Sequence, residues 1–232
     1  MHSLELRTAA NLPTTPNRVT EGGVVETADM EHSQAATIFA RPNPKRRLID
    51  MRRHKSAADA LANWEPTESI EVYGFTKGAF GFLDLLLATL NKTGPADLSL
   101  STWTAHASQI GILAGEQSAG RITSGRFLFD TSFVKREPQT IQAIRKHFGH
   151  GAVRVCLTHS KFALLTGKNT TVTLRTSANL NLNKRFEDFT ISADPELHKF
   201  LTALLDDFWT NQRPELADQS PGQIAKYWRD QM

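Results

Sequence analysis

HSKFALLTGKNTTVTLRTSANLNLNKRFE, residues 159–187, holds two β-like runs joined by a tight turn. Lys161–Thr166 (KFALLT) and Thr170–Thr176 (TTVTLRT) are the runs, and Gly167-Lys168-Asn169 is the turn. Side chains two apart on a strand share a face. His159 and Lys161 are two apart where the first strand begins, and Ser177 and Asn179 are two apart where the second ends. An antiparallel hairpin lays the start of one strand beside the end of the other. The four polar side chains then converge on one end of one face. Glu187 opens a further strand, Phe186–Ser192, and can reach the same place. An imidazole, an ammonium, an amide and a carboxylate around one spot make a phosphate site that needs no metal.

Upstream, the pattern alternates. Ile70–Phe75 (IEVYGF) reads as a strand, with Thr76 capping a helix that runs to about Asn91 and stops at Thr93-Gly94-Pro95. Phe80, Leu83, Leu87 and Leu90 recur at helical spacing. Asp97–Thr104 reads as a strand, Ala105–Gln117 as a helix, Gly125–Asp130 as a strand and Pro138–Phe148 as a helix. This β-α-β-α-β-α order predicts parallel strands covered by helices. Ala152–Thr158 adds a strand before the hairpin, and Glu196–Trp209 is a closing amphipathic helix. The expected class is α/β: a mixed sheet flanked by helices in one catalytic domain, residues 65–213. A mostly disordered tail, 1–64, precedes it and a tail, 214–232, follows, of which only Ile224–Trp228 has the residues to dock.

Within the first tail, residues 41–55 (RPNPKRRLIDMRRHK) are strongly basic. Arg46, Arg47, Arg52 and Arg53 read either as phosphate contacts or as a solvated linker face. Ser56 can cap a short helix to Asn63, with Asp59 at the capping-box position. The whole chain of 232 residues carries a net charge of only +3, so a polyanionic partner is compatible but not demanded. A single cysteine, Cys156, excludes an intrachain disulfide framework and reads as a small buried hydrophobe. No apolar run approaches the roughly 18 residues that span a bilayer, and the N-terminus lacks a signal-peptide pattern. The expectation is a cytoplasmic protein without membrane attachment. His147 and His150 lack further metal ligands at usual spacing and read as a loop. Trp103 and Trp209 read as core or groove-lining, and Asp130 as a strand-end site residue or an N-cap.

The segment 159–187 resembles the HxK…SxN…E motif of the phospholipase D superfamily, above all its single-motif bacterial and phage branch. The resemblance covers roughly residues 66–212. It implies that His159 attacks phosphorus and forms a phosphohistidine. It implies that Lys161 and Asn179 bind the non-bridging oxygens, that Ser177 supports that pocket, and that Glu187 holds the tautomer and orientation of the His159 imidazole. A leaving oxygen needs a proton from a second histidine, and no other His of this chain is followed by Lys two positions on. The resemblance therefore implies a homodimer with the site at its two-fold axis. It also implies a nucleic-acid substrate, DNA first, and no cofactor; Arg154, Lys168, Arg175, Lys184 and Arg185 are further basic residues near the site in sequence. Two departures stand out: Thr166 where the motif has Asp, and Thr176 where glycine usually precedes the SxN Ser. The first keeps open a different reading, a catalytically weak nucleic-acid-binding or assembly module of the same fold.

Overall fold

The computed structural model describes residues 46–47 (main chain only), 55–67, 70–182 and 185–231. Eight strands form one mixed sheet: β1 (Arg46–Arg47), β2 (Ile70–Phe75), β3 (Ala96–Thr102), β4 (Ile122–Asp130), β5 (Val153–Cys156), β6 (Phe162–Gly167), β7 (Thr171–Thr176) and β8 (Asp188–Ser192). Their order is β1-β2-β8-β7-β6-β3-β4-β5. The expected parallel arrangement holds for β3, β4 and β5. It does not extend to β2, which pairs antiparallel with β8. The reason is the run β6-β7-β8, whose short connections force antiparallel neighbours and whose strands insert between β2 and β3.

The helices are α1 (Ala57–Ala60), α2 (Phe82–Thr93), α3 (Ala107–Ser118), α4 (Thr131–Arg136), α5 (Pro138–Phe148), α6 (Pro195–Asn211) and α7 (Pro221–Gln231). Ser56 caps α1 as its sequence predicts, accepting from the Asp59 N–H at 3.1 Å. Thr76 does not cap α2. That helix begins at Phe82, where the Asp84 carboxylate accepts from the Gly81 N–H at 2.8 Å. Between them the chain turns through Lys77 and Gly78, both at positive φ (48° and 75°). The α4 turn was not expected. Asp130 is its N-cap, accepting from the Ser132 N–H at 2.9 Å.

Alternation along β6 divides the apolar side chains between two layers. Ala163 and Leu165 join the main core with Phe82, Leu85, Ile110, Phe127 and Ile144. Leu164 turns the other way, to Leu128, Cys156 and Leu205 beneath α6. Burial and the nearby Asp130 charge push the Cys156 thiol up to about 12, so it stays a neutral hydrophobe. Trp64, in the segment assigned to the first tail, is fully buried in the main core. The second tail likewise packs: Leu216, Ala217 and Ile224 are buried there too. These segments carry too few apolar residues to show a period, yet each delivers three to the core: Ala57, Leu61 and Trp64 from the first, and Leu216, Ala217 and Ile224 from the second.

The margin at β5 has its own closure. The buried Gln212 amide accepts from the Val155 N–H at 2.8 Å and donates to the Val155 carbonyl at 2.7 Å. Arg154 is buried beside it. It donates to the carbonyls of Gly151 and Val153 and lies over the Trp209 ring, so it holds structure at this margin.

Candidate active site

The ends of β2, β3, β4, β5 and β7 and the starts of β6 and β8 meet at one end of the sheet. The hairpin continues past β6, because the Thr176 N–H donates to the Lys161 carbonyl at 3.1 Å. The segment before it is pinned from three sides. The Thr158 N–H donates to the second Asp130 oxygen at 3.2 Å. The hydroxyls of Thr158 and Ser160 are 2.7 Å apart, and Ser160 meets Ser101 at 3.2 Å. His159 stands exposed between these two anchored residues.

Lys161 is buried, 8% exposed, and its Nζ lies 2.8 Å from His159 Nδ1, 3.2 Å from Nε2 and 2.8 Å from the His159 carbonyl. An ammonium only donates, so the ring nitrogen that meets it carries its lone pair outward. Burial lowers the Lys161 pKa, and the Glu187 charge opposes that shift. Glu187 is therefore near enough to act on Lys161. Its carboxylate accepts the Ser177 hydroxyl, which in turn accepts from the Asp188 N–H at 3.1 Å. The Glu187 N–H donates to the Thr76 hydroxyl at 3.2 Å. The expected bond from Glu187 to His159 of the same chain is not formed; the imidazole's hydrogen bonds run to Lys161. Asn179 turns its Oδ1 to the Thr102 hydroxyl at 3.3 Å, which leaves the donor end of its amide for the pocket.

Three side chains enter that the sequence left open or did not suggest. The Trp103 ring centroid is 6.0 Å from that of His159. The Arg136 guanidinium lies 4.3 Å from the Trp103 ring and donates to the Trp103 carbonyl. Trp103 thus lines the site and is not core. Asp130 serves both α4 and the histidine segment. Both readings of Asp130, the N-cap and the strand-end site residue, are met at once.

The basic residues separate. Arg175 is exposed on β7 opposite Phe162, next to the site end. Arg185 is exposed two residues before Glu187. Lys168 sits in the β6–β7 turn, at the far end of the hairpin, and is not brought to the site. Arg46 and Arg47 form β1; Arg52, Arg53 and Lys184 lie outside the described residues. His150 faces Glu215 at 3.5 Å. Among the described residues no three His, Cys, Asp or Glu side chains gather as metal ligands, and no helix is long and apolar enough to cross a membrane.

No family model and no curated protein matches the sequence. Solved structures do. NucT from Helicobacter pylori matches at 15% identity and TM-score 0.44, over 60% of this chain and 95% of that one. Nuc from Salmonella typhimurium, described as a phospholipase D family member, matches at 14% and 0.43, over 62% and 95%. Polyphosphate kinase from Porphyromonas gingivalis matches at 12% and 0.47, over 75% of this chain and 31% of that one. The likeness is one of fold alone. At such identity and TM-score it says nothing of chemistry, which has to come from the residues of 159–187. In terms of the superfamily motif, the His, Lys, Ser, Asn and Glu positions lie at one end of the sheet. The Asp position, Thr166, lies at the other end of β6, where its hydroxyl is 3.3 Å from His198 Nε2.

Proposed function

We propose that this protein is a phosphodiesterase that cleaves nucleic acid, DNA first, through a phosphohistidine and without a metal. The observation that carries the reading is the contact of the Lys161 ammonium with the His159 imidazole, beside the Ser177–Glu187 pair. In the first step the His159 lone pair forms a bond to phosphorus, and the bond from phosphorus to the leaving oxygen breaks. Lys161 and the Asn179 amide neutralise the charge that grows on the non-bridging oxygens. The leaving oxygen takes its proton from the imidazolium of a second histidine. That imidazole then accepts a proton from the water that attacks phosphorus and releases His159.

One chain supplies one such histidine, so the second is the partner's His159 in a two-fold dimer. Glu187, bonded to Ser177 in its own chain, orients an imidazole only in the paired site. The test is cleavage of a DNA substrate in EDTA by the wild type and by His159→Ala. Cleavage by the wild type alone, with an acid-labile phosphoprotein trapped, supports the reading. Equal cleavage by both rejects it. Salt-dependent binding with no cleavage and no phosphohistidine supports the weak binding module instead. A strict monomer with full activity removes the shared site.

A further inference from the structure

Residues directly opposite one another on neighbouring strands share a face of the sheet. One such row runs Leu128, Ser101, Phe162, Arg175, Thr190, Tyr73, across β4, β3, β6, β7, β8 and β2. At one end Leu128 and Phe162 lie beneath α6. At the other end Arg175 and Tyr73 are exposed. Phe75, two residues on from Tyr73 and therefore on the same face, is 47% exposed. Its ring stacks on that of Phe186, 65% exposed, with centroids 5.1 Å apart. Tyr73 meets the Phe75 ring edge to face at 5.4 Å.

These rings are held out of the core by main-chain bonds. The Thr76 N–H donates to the Glu187 carbonyl at 2.8 Å. The Arg185 carbonyl accepts from the Thr76 hydroxyl at 2.8 Å and from the Gly78 N–H at 3.0 Å. The loop carrying Phe75 is thus laced to the segment carrying Phe186, and Phe186 is the residue before Glu187. Lys77, Arg175 and Arg185 are exposed: Lys77 is two residues after Phe75, Arg185 directly precedes Phe186, and Arg175 stands in the same row as Tyr73. Asp188 is opposite Phe75 in the β2–β8 register, so one carboxylate interrupts the cations on this face. An exposed aromatic patch of this kind asks for an occupant. Neutral flat rings in the middle with phosphates at a cationic rim describe a strand of unpaired bases.

We propose that Tyr73, Phe75 and Phe186 form a stacking platform for unpaired nucleobases, which directs single-stranded nucleic acid into the site that starts at Glu187. The platform rests on the nuclease reading for its purpose, but its binding does not depend on cleavage. The experiment compares His159→Ala with the variant that also carries Phe75→Ala and Phe186→Ala. Each is titrated with a labelled oligodeoxythymidine of about 20 nucleotides and with a duplex of the same length. The expected result is single-strand affinity weakened about tenfold or more, with duplex affinity within about twofold. Phe75→Tyr with Phe186→Trp restores single-strand binding. Unchanged single-strand affinity overturns the platform, as does an equal loss on both substrates. Sedimentation showing that the double alanine variant changes assembly state also overturns it, and makes the patch a contact between copies of the chain. Should that variant unfold, Phe186→Ala alone, at the most exposed ring, has to show the same split between substrates. A wild type that binds but never cleaves defeats the nuclease reading and leaves the platform standing. Single-strand cleavage at the wild-type rate by a chain that keeps His159 and carries Phe75→Ala and Phe186→Ala does the reverse.

Discussion

The β6–β7 hairpin has two ends built from similar residues and used in different ways. At the His159 end, Lys161 is taken out of water with a ring nitrogen, a carbonyl and the charge of Glu187 for company. At the turn end, the buried His198 rests between the hydroxyls of Thr166 (3.3 Å) and Thr202 (3.4 Å), and burial lowers its pKa. Both are ionisable groups sheltered from solvent. At one end the shelter keeps an opposite charge in reach and a surface open to a ligand. At the other, hydroxyls stand where the superfamily motif has a carboxylate, and the imidazole is kept neutral. The comparison teaches that the motif is two devices on one hairpin. The Asp position, Thr166, lies at the far end of β6 from the candidate site.

The sharpest break of this contrast is at the His159 end. His159→Ala and Lys161→Ala are each expected to lower kcat/KM in EDTA by about 10³-fold or more, with unchanged melting temperature. Glu187→Gln keeps an acceptor for Ser177 but removes the charge beside Lys161; a loss of about 10²-fold in kcat is expected, read by single-turnover kinetics. Next come the cations. Arg175→Ala should weaken DNA binding a few-fold and lower the slope of log affinity against log salt by about 1, while Lys168→Ala leaves that slope unchanged.

The smallest effect belongs to the turn end. The His198 pKa in the folded chain lies below its ordinary 6.5. As pH falls below 6.5 the unfolded chain takes up the proton first, so stability is lost there and not above. Thr166→Asp places a carboxylate beside His198 and favours its cation. Thermal melting at about pH 7.5 and about pH 5 should show a smaller acid loss in that variant than in wild type, with kcat/KM within about twofold.

Much of this was legible in the sequence, and the reason is local. The hairpin's alternation, the His–Lys and Ser–Asn spacings, and α5 with its bounds Pro138–Phe148 all depend on neighbours a few residues away. What was hidden depends on distant ones. Thr76 read as a helix cap because nothing near it shows that its hydroxyl meets Arg185 and Glu187, more than a hundred residues on. Trp103 became a site residue only when β3 was laid beside the segment bearing His159. Lys168 read as a site cation because it is close in sequence, whereas a hairpin sends its turn as far from its open end as the strands are long.

Gln212 has a consequence for how copies of this chain can meet. A strand at the margin of a sheet offers unpaired N–H and C=O groups on which another chain can grow. At β5 the side-chain amide of Gln212 already occupies the pair on Val155, as an added strand would. Fibre-like growth and strand exchange therefore find no template at this margin. Two copies that associate are steered to the other surfaces of the molecule, among them the open end of the hairpin.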